Sequence, residues 1–250
     1  MRKTGRDDVA QPHIKRGVKV GEAIAQDIVR KIGAEGLAPG TPLPSEAQMI
    51  EEYGVGRGSL REALRILEVH GLISIKPGPR GGPIVAEVSA AAFGRMASLY
   101  FQAARMTFRE LMEARLVMEP VMARLAAERR EPDKVELLRS IAQGTPLDDD
   151  AGYLSHSGDF HRLVASMSGN GMLNLYSASL GHIFHDRVSG MFFPKARRAK
   201  VREAHAAIAQ AIADSDADAA EKLMRDHMQE YATYVRRKQP ALMNEVVGWR

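Results

Sequence analysis

Two short amphipathic segments on either side of a three-residue turn constrain the fold of this chain more than any other feature. The turn comprises residues 54–56, of which two are glycine. The segment before it starts with Ser45 and Gln48, and the segment after it with Ser59 and Glu62, each pair at the spacing of a helix-capping box. The second segment then repeats apolar side chains at helical spacing, namely Leu60, Ala63, Leu64 and Leu67. This order predicts two helices joined by a tight turn.

The flanking residues extend this pattern to a small domain. Upstream, apolar residues recur every fourth position and predict a further helix: Val20, Ile24, Ile28 and Ile32. Downstream, a strand starting at Leu72, a loop rich in Pro and Gly over 77–83 and a returning strand at Ile84 indicate a hairpin. We therefore predict a winged helix-turn-helix, with three helices and a β-hairpin, over residues 18–86. A flexible tail, residues 1–17, is expected before it.

The excess positive charge of the chain is concentrated in this region. The chain has 35 Lys and Arg against 31 Asp and Glu, and three of the four excess charges precede residue 87. Arg57, Arg61 and Arg65 are spaced four apart, opposite the apolar side of their helix. Such a row can enter a major groove and bind guanine or phosphate. Lys76 and Arg80 of the hairpin can reach a flanking phosphate or the minor groove. The alternative, a solvated helix face, leaves the capping patterns, the turn and the basic hairpin unexplained.

Residues 36–85 resemble the winged helix-turn-helix of GntR-family bacterial transcription regulators. The shared elements are PG-x-x-LPSE, GV-x-R, LREAL, LE-x-x-GLI and a glycine-rich wing, in this order. In that family the arginine after the turn and the arginine of REAL contact bases and phosphates, which implies these roles for Arg57 and Arg61. The resemblance also implies that four small residues lie near the DNA backbone: Gly58, Ser59, Gly81 and Gly82.

Two positions depart from the family pattern. Ala47 occupies the position of the arginine that usually follows PSE, which removes one expected DNA contact. Gly56 occupies the position of the usual serine, and glycine is still a tolerable helix N-cap. Both changes are expected to weaken or retune DNA binding without affecting the fold.

Beyond residue 87 the pattern is helical, with no convincing strand or hairpin signal. About seven helical segments are indicated, separated mostly by breaks at Pro and Gly: 89–105, 107–130, 132–143, 149–168, 171–190, 196–214 and 216–237. We therefore expect a mostly α-helical protein whose second domain, residues 87–240, is an all-α bundle. Residues 241–250 are expected to form a C-terminal tail.

Three histidines fall on the apolar faces of three separate predicted helices: His161, His205 and His227. A single inward histidine is more often a hydrogen-bonded core residue than a metal ligand. Three buried imidazoles each need a hydrogen-bond partner or a metal ion. Neutral imidazoles that converge in a bundle can hold such an ion together. Three ligands leave coordination positions for water or an effector carboxylate. Since the chain has no cysteine, any such site depends on histidine.

The same histidines stand in motifs that resemble the FCD ligand-binding domain of FadR-type regulators. The matching pieces are FH-x-x-L followed by GN, then H-x-x-I-x-x-AI, and a terminal M-x-x-H. The resemblance implies a divalent metal ion, zinc above all, on the three histidines. Metal-binding members carry an aspartate four residues before the first histidine, where this chain has Ser157. His156 and Asp159 stand at the wrong helical positions to replace that aspartate.

Arg115 shares one helical stripe with apolar residues, so its permanent charge is directed toward the core. Two interpretations are open. One is an internal ion pair, for instance with Glu119 one turn later. The other is a bidentate clamp for the carboxylate of an effector. The resemblance supports the clamp, because this arginine lies near the cavity in the family, whose effectors are commonly small organic acids.

Together these features predict a transcription regulator, and more specifically a repressor that binds a short palindromic operator in double-stranded DNA as a homodimer. A small organic acid, coordinated by the metal, is expected to shift the population of DNA-binding states. The alternatives are a metal-dependent enzyme and a pure metal sensor with a DNA-binding domain. An enzyme would need a positioned base, as in H-E-x-x-H, and the sequence contains neither this motif nor a G-x-S-x-G, P-loop or dinucleotide-binding motif.

The sequence gives no indication of a membrane partner. No apolar run approaches the roughly 20 residues that a transmembrane helix needs, and the N-terminus has no signal-peptide core. We therefore expect a cytoplasmic protein associated with the nucleoid.

Overall fold

The computed structural model describes residues 19–78, 81–144, 148–188 and 194–248. The chain separates into two compact units, Met1–Ala92 and Phe93–Arg250. The boundary therefore falls a few residues after the predicted one at residue 87. The predicted tail over residues 1–17 lies outside the described part of the chain.

The first unit contains the three helices and the β-hairpin that the sequence predicts. Its elements in chain order are α1 (Val20–Ala34), α2 (Glu46–Tyr53), α3 (Arg57–Val69), β1 (Ile73–Lys76) and β2 (Gly82–Val85). The two strands pair antiparallel, with Ile73 opposite Val85. Pro42 adds an isolated antiparallel bridge to Ile84. The observed winged helix-turn-helix confirms the predicted fold of this region.

The helix-turn-helix has one predicted cap and one unpredicted start. Gln48 donates its backbone N–H to the side chain of Ser45, and the Gln48 side chain accepts from the Ser45 backbone at 2.9 Å, which completes a capping box. The second predicted box is wrong, because α3 already begins at Arg57 and Gly56 is its N-cap residue. Ser59 lies inside the first turn of α3. The turn covers residues 54–56 as predicted, because Gly54, at φ 62°, ends α2 and α3 begins three residues later, at Arg57.

The core of the first unit forms where the apolar faces of α1 and α3 meet. Ile24 and Ile28 of α1 are buried, as their spacing of four residues predicts, whereas Val20 is 37% exposed. The buried cluster also takes in residues of α2, α3 and β1: Met49, Leu60, Ala63, Leu64, Leu67 and Ile73. With this side of α3 buried, its opposite side is left for contacts outside the unit.

A polar cluster joins α1 to the end of α2. The hydroxyl of Tyr53 donates to Asp27 Oδ2 at 2.9 Å, and Lys31 Nζ lies 3.2 Å from the same hydroxyl while also contacting Glu52. Partial burial alone would raise the pKa of Asp27, but the hydrogen bonds from Tyr53 and Lys31 lower it below its ordinary value. This cluster fixes the orientation of α2 relative to α1.

The second unit is helical, and seven long helices match the predicted segments to within a few residues. They are α4 (Ala90–Ala103), which crosses the unit boundary, α5 (Phe108–Arg129), α6 (Pro132–Gly144), α7 (Asp150–Met167), α8 (Gly171–Val188), α9 (Lys195–Ala213) and α10 (Ala217–Lys238). A short helix, α11 (Pro240–Met243), follows them. Of the helices in the described ranges, none is long and apolar enough to cross a membrane.

The described part of the predicted C-terminal tail is packed rather than free. Leu242, Met243 and Val247 are buried in an apolar cluster with the start of α5. The backbone N–H of Val247 donates to the Met106 carbonyl at 2.8 Å, and that of Phe108 to Glu245 at 3.1 Å. The prediction of a tail over 241–250 is therefore wrong through residue 248, because these apolar side chains cover the N-terminal end of α5.

Helix α5 lies at the centre of the second unit. It packs against α7, α9 and α10, and a large buried cluster fills the space between these helices. Ala123, Ala126 and Ala127 of α5 are fully buried in it and allow the neighbouring helices to approach closely. The three predicted histidine ligands lie on the three helices that surround α5.

Candidate functional site

The three arginines predicted to contact DNA lie exposed on one side of α3. Arg57 starts the helix, and Arg61 and Arg65 follow at intervals of four residues, opposite the buried leucines. The Arg61 side chain is 75% exposed, and its Nε lies 3.5 Å from Glu46 Oε2 at the start of α2. Exposed ion pairs of this kind contribute little, so the guanidinium remains available to a nucleic acid.

The hairpin places the other predicted DNA-contacting residues beside each other. Lys76 is exposed at the end of β1, opposite Gly82 at the start of β2. A Cβ at Gly81 would lie only 2.1 Å from the Lys76 carbonyl oxygen, and Gly82 has φ +147°. Both glycines are therefore required by the hairpin itself. Arg80 lies outside the described residues.

The small residues of α3 also lie where the prediction requires. Gly58 is exposed and Ser59 is half-buried, both within the first turn of the helix. Side chains this small allow a close approach of the helix N-terminus to a phosphate backbone. Contacts of all these residues with DNA remain a prediction.

The three predicted metal ligands converge inside the second unit. One ring nitrogen from each of His161, His205 and His227 lies within 4.8 Å of those of the other two. His205 is fully buried, and its ring stacks on Phe160 at a centroid distance of 3.9 Å. Nε2 of His205 lies 3.3 Å from Nε2 of His227. The structure thus brings together residues that are far apart in the sequence, on α7, α9 and α10.

A buried carboxylate on α5, that of Glu119, orients the ring of His161. Glu119 is only 3% exposed, and its Oε2 lies 2.5 Å from Nδ1 of His161. Because a carboxylate only accepts hydrogen bonds, this close contact favours a proton on Nδ1 of His161, which leaves a lone pair on Nε2. The other oxygen of Glu119 accepts from Arg115 Nε at 2.6 Å. A metal-binding histidine commonly directs one ring nitrogen at a carboxylate and the other at the metal ion, and His161 with Glu119 has this arrangement.

Arg115 therefore forms the internal ion pair that its spacing from Glu119 offers. Its side chain is 12% exposed. Burial alone would raise the pKa of Glu119, but the charge of Arg115 and the contact with His161 hold that pKa well below its ordinary value. Its role as a clamp for an effector remains a prediction.

The electrostatics of the cluster keep two histidines neutral. Burial lowers the pKa of His205 well below its ordinary value, and the neighbouring His227 and His161 lower it further. Burial likewise lowers the pKa of His227, to about 3. Both imidazoles are therefore neutral near pH 7, which is the form that binds a metal ion.

The residues around His161 supply no aspartate ligand. Ser157, one turn earlier on α7, is buried. His156 bonds to the Gly152 carbonyl at 2.9 Å, and Asp159 pairs with Arg162 at the surface. These contacts agree with the prediction that neither His156 nor Asp159 replaces the missing aspartate.

Two of the three histidines stand at the spacing of ligands to one divalent metal ion. Nitrogen ligands at about 2.05 Å from a tetrahedral ion are about 3.3 Å apart, which is the spacing of the Nε2 atoms of His205 and His227. The three imidazoles supply nitrogen donors suited to zinc and similar ions. A fourth position would then belong to water or to a ligand oxygen.

A cavity of about 250 Å³ reaches this cluster from between α9 and α10. His227 is one of its lining residues, together with the charged side chains of Arg197, Lys200 and Glu230. Sequence reasoning missed these three residues. The signal was available in their spacing, because Glu230 stands one helical turn after His227 and Lys200 one turn after Arg197. Arg115 is not among the lining residues.

Comparison with known proteins assigns both units. Residues 20–80 match the domain described as bacterial regulatory proteins, gntR family, and residues 110–230 match the FCD domain. The HTH-type transcriptional repressor NanR of Klebsiella aerogenes is 29% identical over 222 residues, covering 84% of this chain and 83% of that protein. NanR of Escherichia coli K12 is 27% identical over 222 residues, covering 84% and 82%.

A solved structure supports the same fold. Streptococcus agalactiae GntR superposes with a TM-score of 0.66 at 24% identity, covering 85% of this chain and 99% of that one. The matched family and relatives are transcription regulators, which confirms the prediction that the chain is not an enzyme. The first unit is accordingly a module that binds double-stranded DNA. The chain belongs to the GntR family of bacterial transcription regulators and, with its FCD domain, to the FadR-type subgroup.

Proposed function

We propose that this protein is a ligand-responsive repressor that binds a short inverted repeat as a homodimer. The observation that carries this proposal is the exposed row of Arg57, Arg61 and Arg65 on a helix whose other side is buried. One recognition helix covers only one half-site, so two copies related by a twofold axis suit an inverted repeat. Repression is the activity named for the NanR relatives.

The arginines of α3 would supply two kinds of contact. Arginine binds guanine through O6 and N7 with two parallel hydrogen bonds, and it also pairs with phosphate. Arg61, in the second turn of α3, is the candidate for base contact, whereas Lys76 of the hairpin is the candidate for a flanking phosphate. Gly81 and Gly82 keep the hairpin narrow enough to approach the backbone. The arginine usual at position 47 is missing, so one contact of related regulators is expected to be absent.

The histidine cluster would hold a divalent ion, with zinc the expected one. His161, His205 and His227 supply the nitrogens, and Glu119 fixes the ring of His161. A bound ion would offer a carboxylate of a small organic acid a coordination position. With serine at position 157, a ligand set of three histidines brings no negative charge, which favours an anionic fourth ligand.

The effector would act by binding two conformational states unequally. A ligand shifts an equilibrium only by its difference in affinity between the states. The histidines stand on α7, α9 and α10, so a metal–effector complex would tie three helices to one another. Through this coupling, the helical units would change how strongly the two winged helix-turn-helix units of the dimer bind DNA.

DNase I footprinting on the DNA upstream of its own gene and of adjacent genes tests the proposal. The expected result is one protected segment that contains an inverted repeat and binds two chains. Arms with zinc, with chelator and with zinc plus organic acids separate an acid-responsive regulator from a metal sensor. Protection that responds to zinc alone favours the metal sensor, and no protection of any fragment contradicts the proposal.

A further inference from the structure

Two cations of α9 converge on one carboxylate of α10 beside the cavity. Nη2 of Arg197 and Nζ of Lys200 both contact Oε1 of Glu230, the lysine at 2.9 Å. The guanidinium of Arg197 also lies over the ring of Tyr234, 4.5 Å from its centroid. All four side chains line the cavity that reaches His227.

The carboxylate of Glu230 is held loosely enough to be exchanged. The side chains of Glu230 and Arg197 are 39% and 34% exposed, and that of Lys200 is 67% exposed. Ion pairs at such exposure contribute little to stability. An anion that enters the cavity can therefore take the place of Glu230 and gain the same two cations. Tyr234 keeps Arg197 in position after the exchange.

We infer that Arg197 and Lys200 form a subsite for an anionic group of the effector, a carboxylate or a phosphate, and that Glu230 occupies this subsite in the free protein. His227 and Glu230 are three positions apart on α10, which separates their Cβ atoms by about 5–6 Å. The effector is then a compact acid with two anionic groups, one at the histidines and one at this subsite. The first contact rests on the function proposed above, whereas the subsite uses only side chains of α9 and α10.

The competing explanation is a structural link between α9 and α10. Glu203 provides the control that separates the two explanations, because it lines the same cavity from α9. Glu203→Gln removes the same charge from the cavity as Glu230→Gln. If only the total charge of the cavity matters, the two variants will bind anions with equal affinity. If an anion replaces Glu230 at the subsite, only Glu230→Gln will bind anions more tightly.

Calorimetric titration of the full chain tests the subsite, with succinate, butyrate and inorganic phosphate as probes. Succinate and butyrate have the same number of carbons and differ by one carboxylate. We expect Glu230→Gln to tighten binding of succinate or phosphate by about fivefold, with a smaller gain for butyrate and Glu203→Gln within about twofold of wild type. Adding Lys200→Gln to Glu230→Gln should reverse the gain.

The response of the two dianions identifies the group. A gain for succinate assigns a carboxylate, and a gain for phosphate assigns a phosphate. The titrations are run on zinc-loaded and on metal-free protein without DNA, so their result is independent of operator binding. Equal effects of Glu203→Gln and Glu230→Gln, or no gain for either dianion, would overturn the inference.

Discussion

Nε2 of His205 and Nε2 of His227 lie 3.3 Å apart in the interior of the helical unit. Two explanations account for this distance. One imidazole can donate its N–H to the other, or both can direct lone pairs at one metal ion. Only the second explanation also uses Nε2 of His161, whose ring is oriented by Glu119. The metal content of the protein distinguishes the two explanations.

Metal content should depend on His227. Wild-type protein loaded with zinc and freed of excess ion is expected to retain about one zinc per chain, and His227→Gln less than about a tenth of that. His156→Gln is the matched control, because His156 lies on α7 with His161 but is not a predicted ligand. This variant should retain the metal. Elemental analysis by mass spectrometry gives the ratio. At zinc concentrations of 100 times Kd, wild type should gain about 2.7 kcal/mol in unfolding free energy. Equal zinc in wild type and His227→Gln would point to the imidazole–imidazole hydrogen bond.

Glu119→Gln should weaken both the metal site and the fold. The amide no longer fixes the proton of His161, so zinc affinity should fall by about 10- to 100-fold in a chelator competition. The unfolding free energy should fall by about 3 kcal/mol, because Arg115 and His161 lose the buried charge between them. Glu128→Gln, in an exposed pair on the same helix, should cost less than about 1 kcal/mol in urea denaturation. Unchanged zinc affinity in Glu119→Gln would rule out the orienting role.

The two serines of the helix-turn-helix should respond differently to alanine. Ser45 caps α2, so Ser45→Ala should lower the unfolding free energy by about 1 kcal/mol. Ser59 lies inside α3, and Ser59→Ala should leave stability unchanged within about 0.5 kcal/mol. Denaturation followed by circular dichroism measures both. A larger loss in Ser59→Ala than in Ser45→Ala would mean that α3 starts later than described.

The cluster around Asp27 should make stability depend on pH in acid. The pKa of Asp27 is lowered in the folded protein by Tyr53 and Lys31 against the effect of burial. The carboxylate therefore stabilises the fold above its unfolded pKa of about 3.9, and this contribution is lost as pH falls through the folded value. Wild type should exceed Asp27→Asn in thermal stability at pH 7, and the difference should shrink below about pH 4. A difference that grows with acidification would reverse the assigned sign.

The sequence was sufficient to predict the fold because its signals are local. The capping box at Ser45, the glycine at position 54 and the helical spacing of Leu60 and Leu64 all act within a few residues. The start of α3 escaped this reasoning, because Ser59 and Glu62 imitate a cap without forming one. The packed C-terminus escaped it for a different reason. Leu242 and Val247 contact residues near the start of α5, more than a hundred positions earlier.

The candidate site was only partly predictable. His161, His205 and His227 were identified from helix faces, and the structure brings them together. The contact of Glu119 with His161 depends on how α5 packs against α7, and no spacing within one helix specifies it. The same is true of Arg197 and Glu230, which face each other only because α9 and α10 are antiparallel neighbours.

Operator binding by Arg61→Ala tests the central claim most directly. Fluorescence anisotropy with the footprinted duplex compares wild type, Arg61→Ala and Arg225→Ala, which removes an exposed arginine from the helical unit. A base contact contributes about 1–3 kcal/mol, so Arg61→Ala should lose about tenfold or more in affinity. Arg225→Ala should stay within about twofold of wild type. Wild-type affinity in Arg61→Ala would contradict the assignment of α3 as the DNA-reading helix.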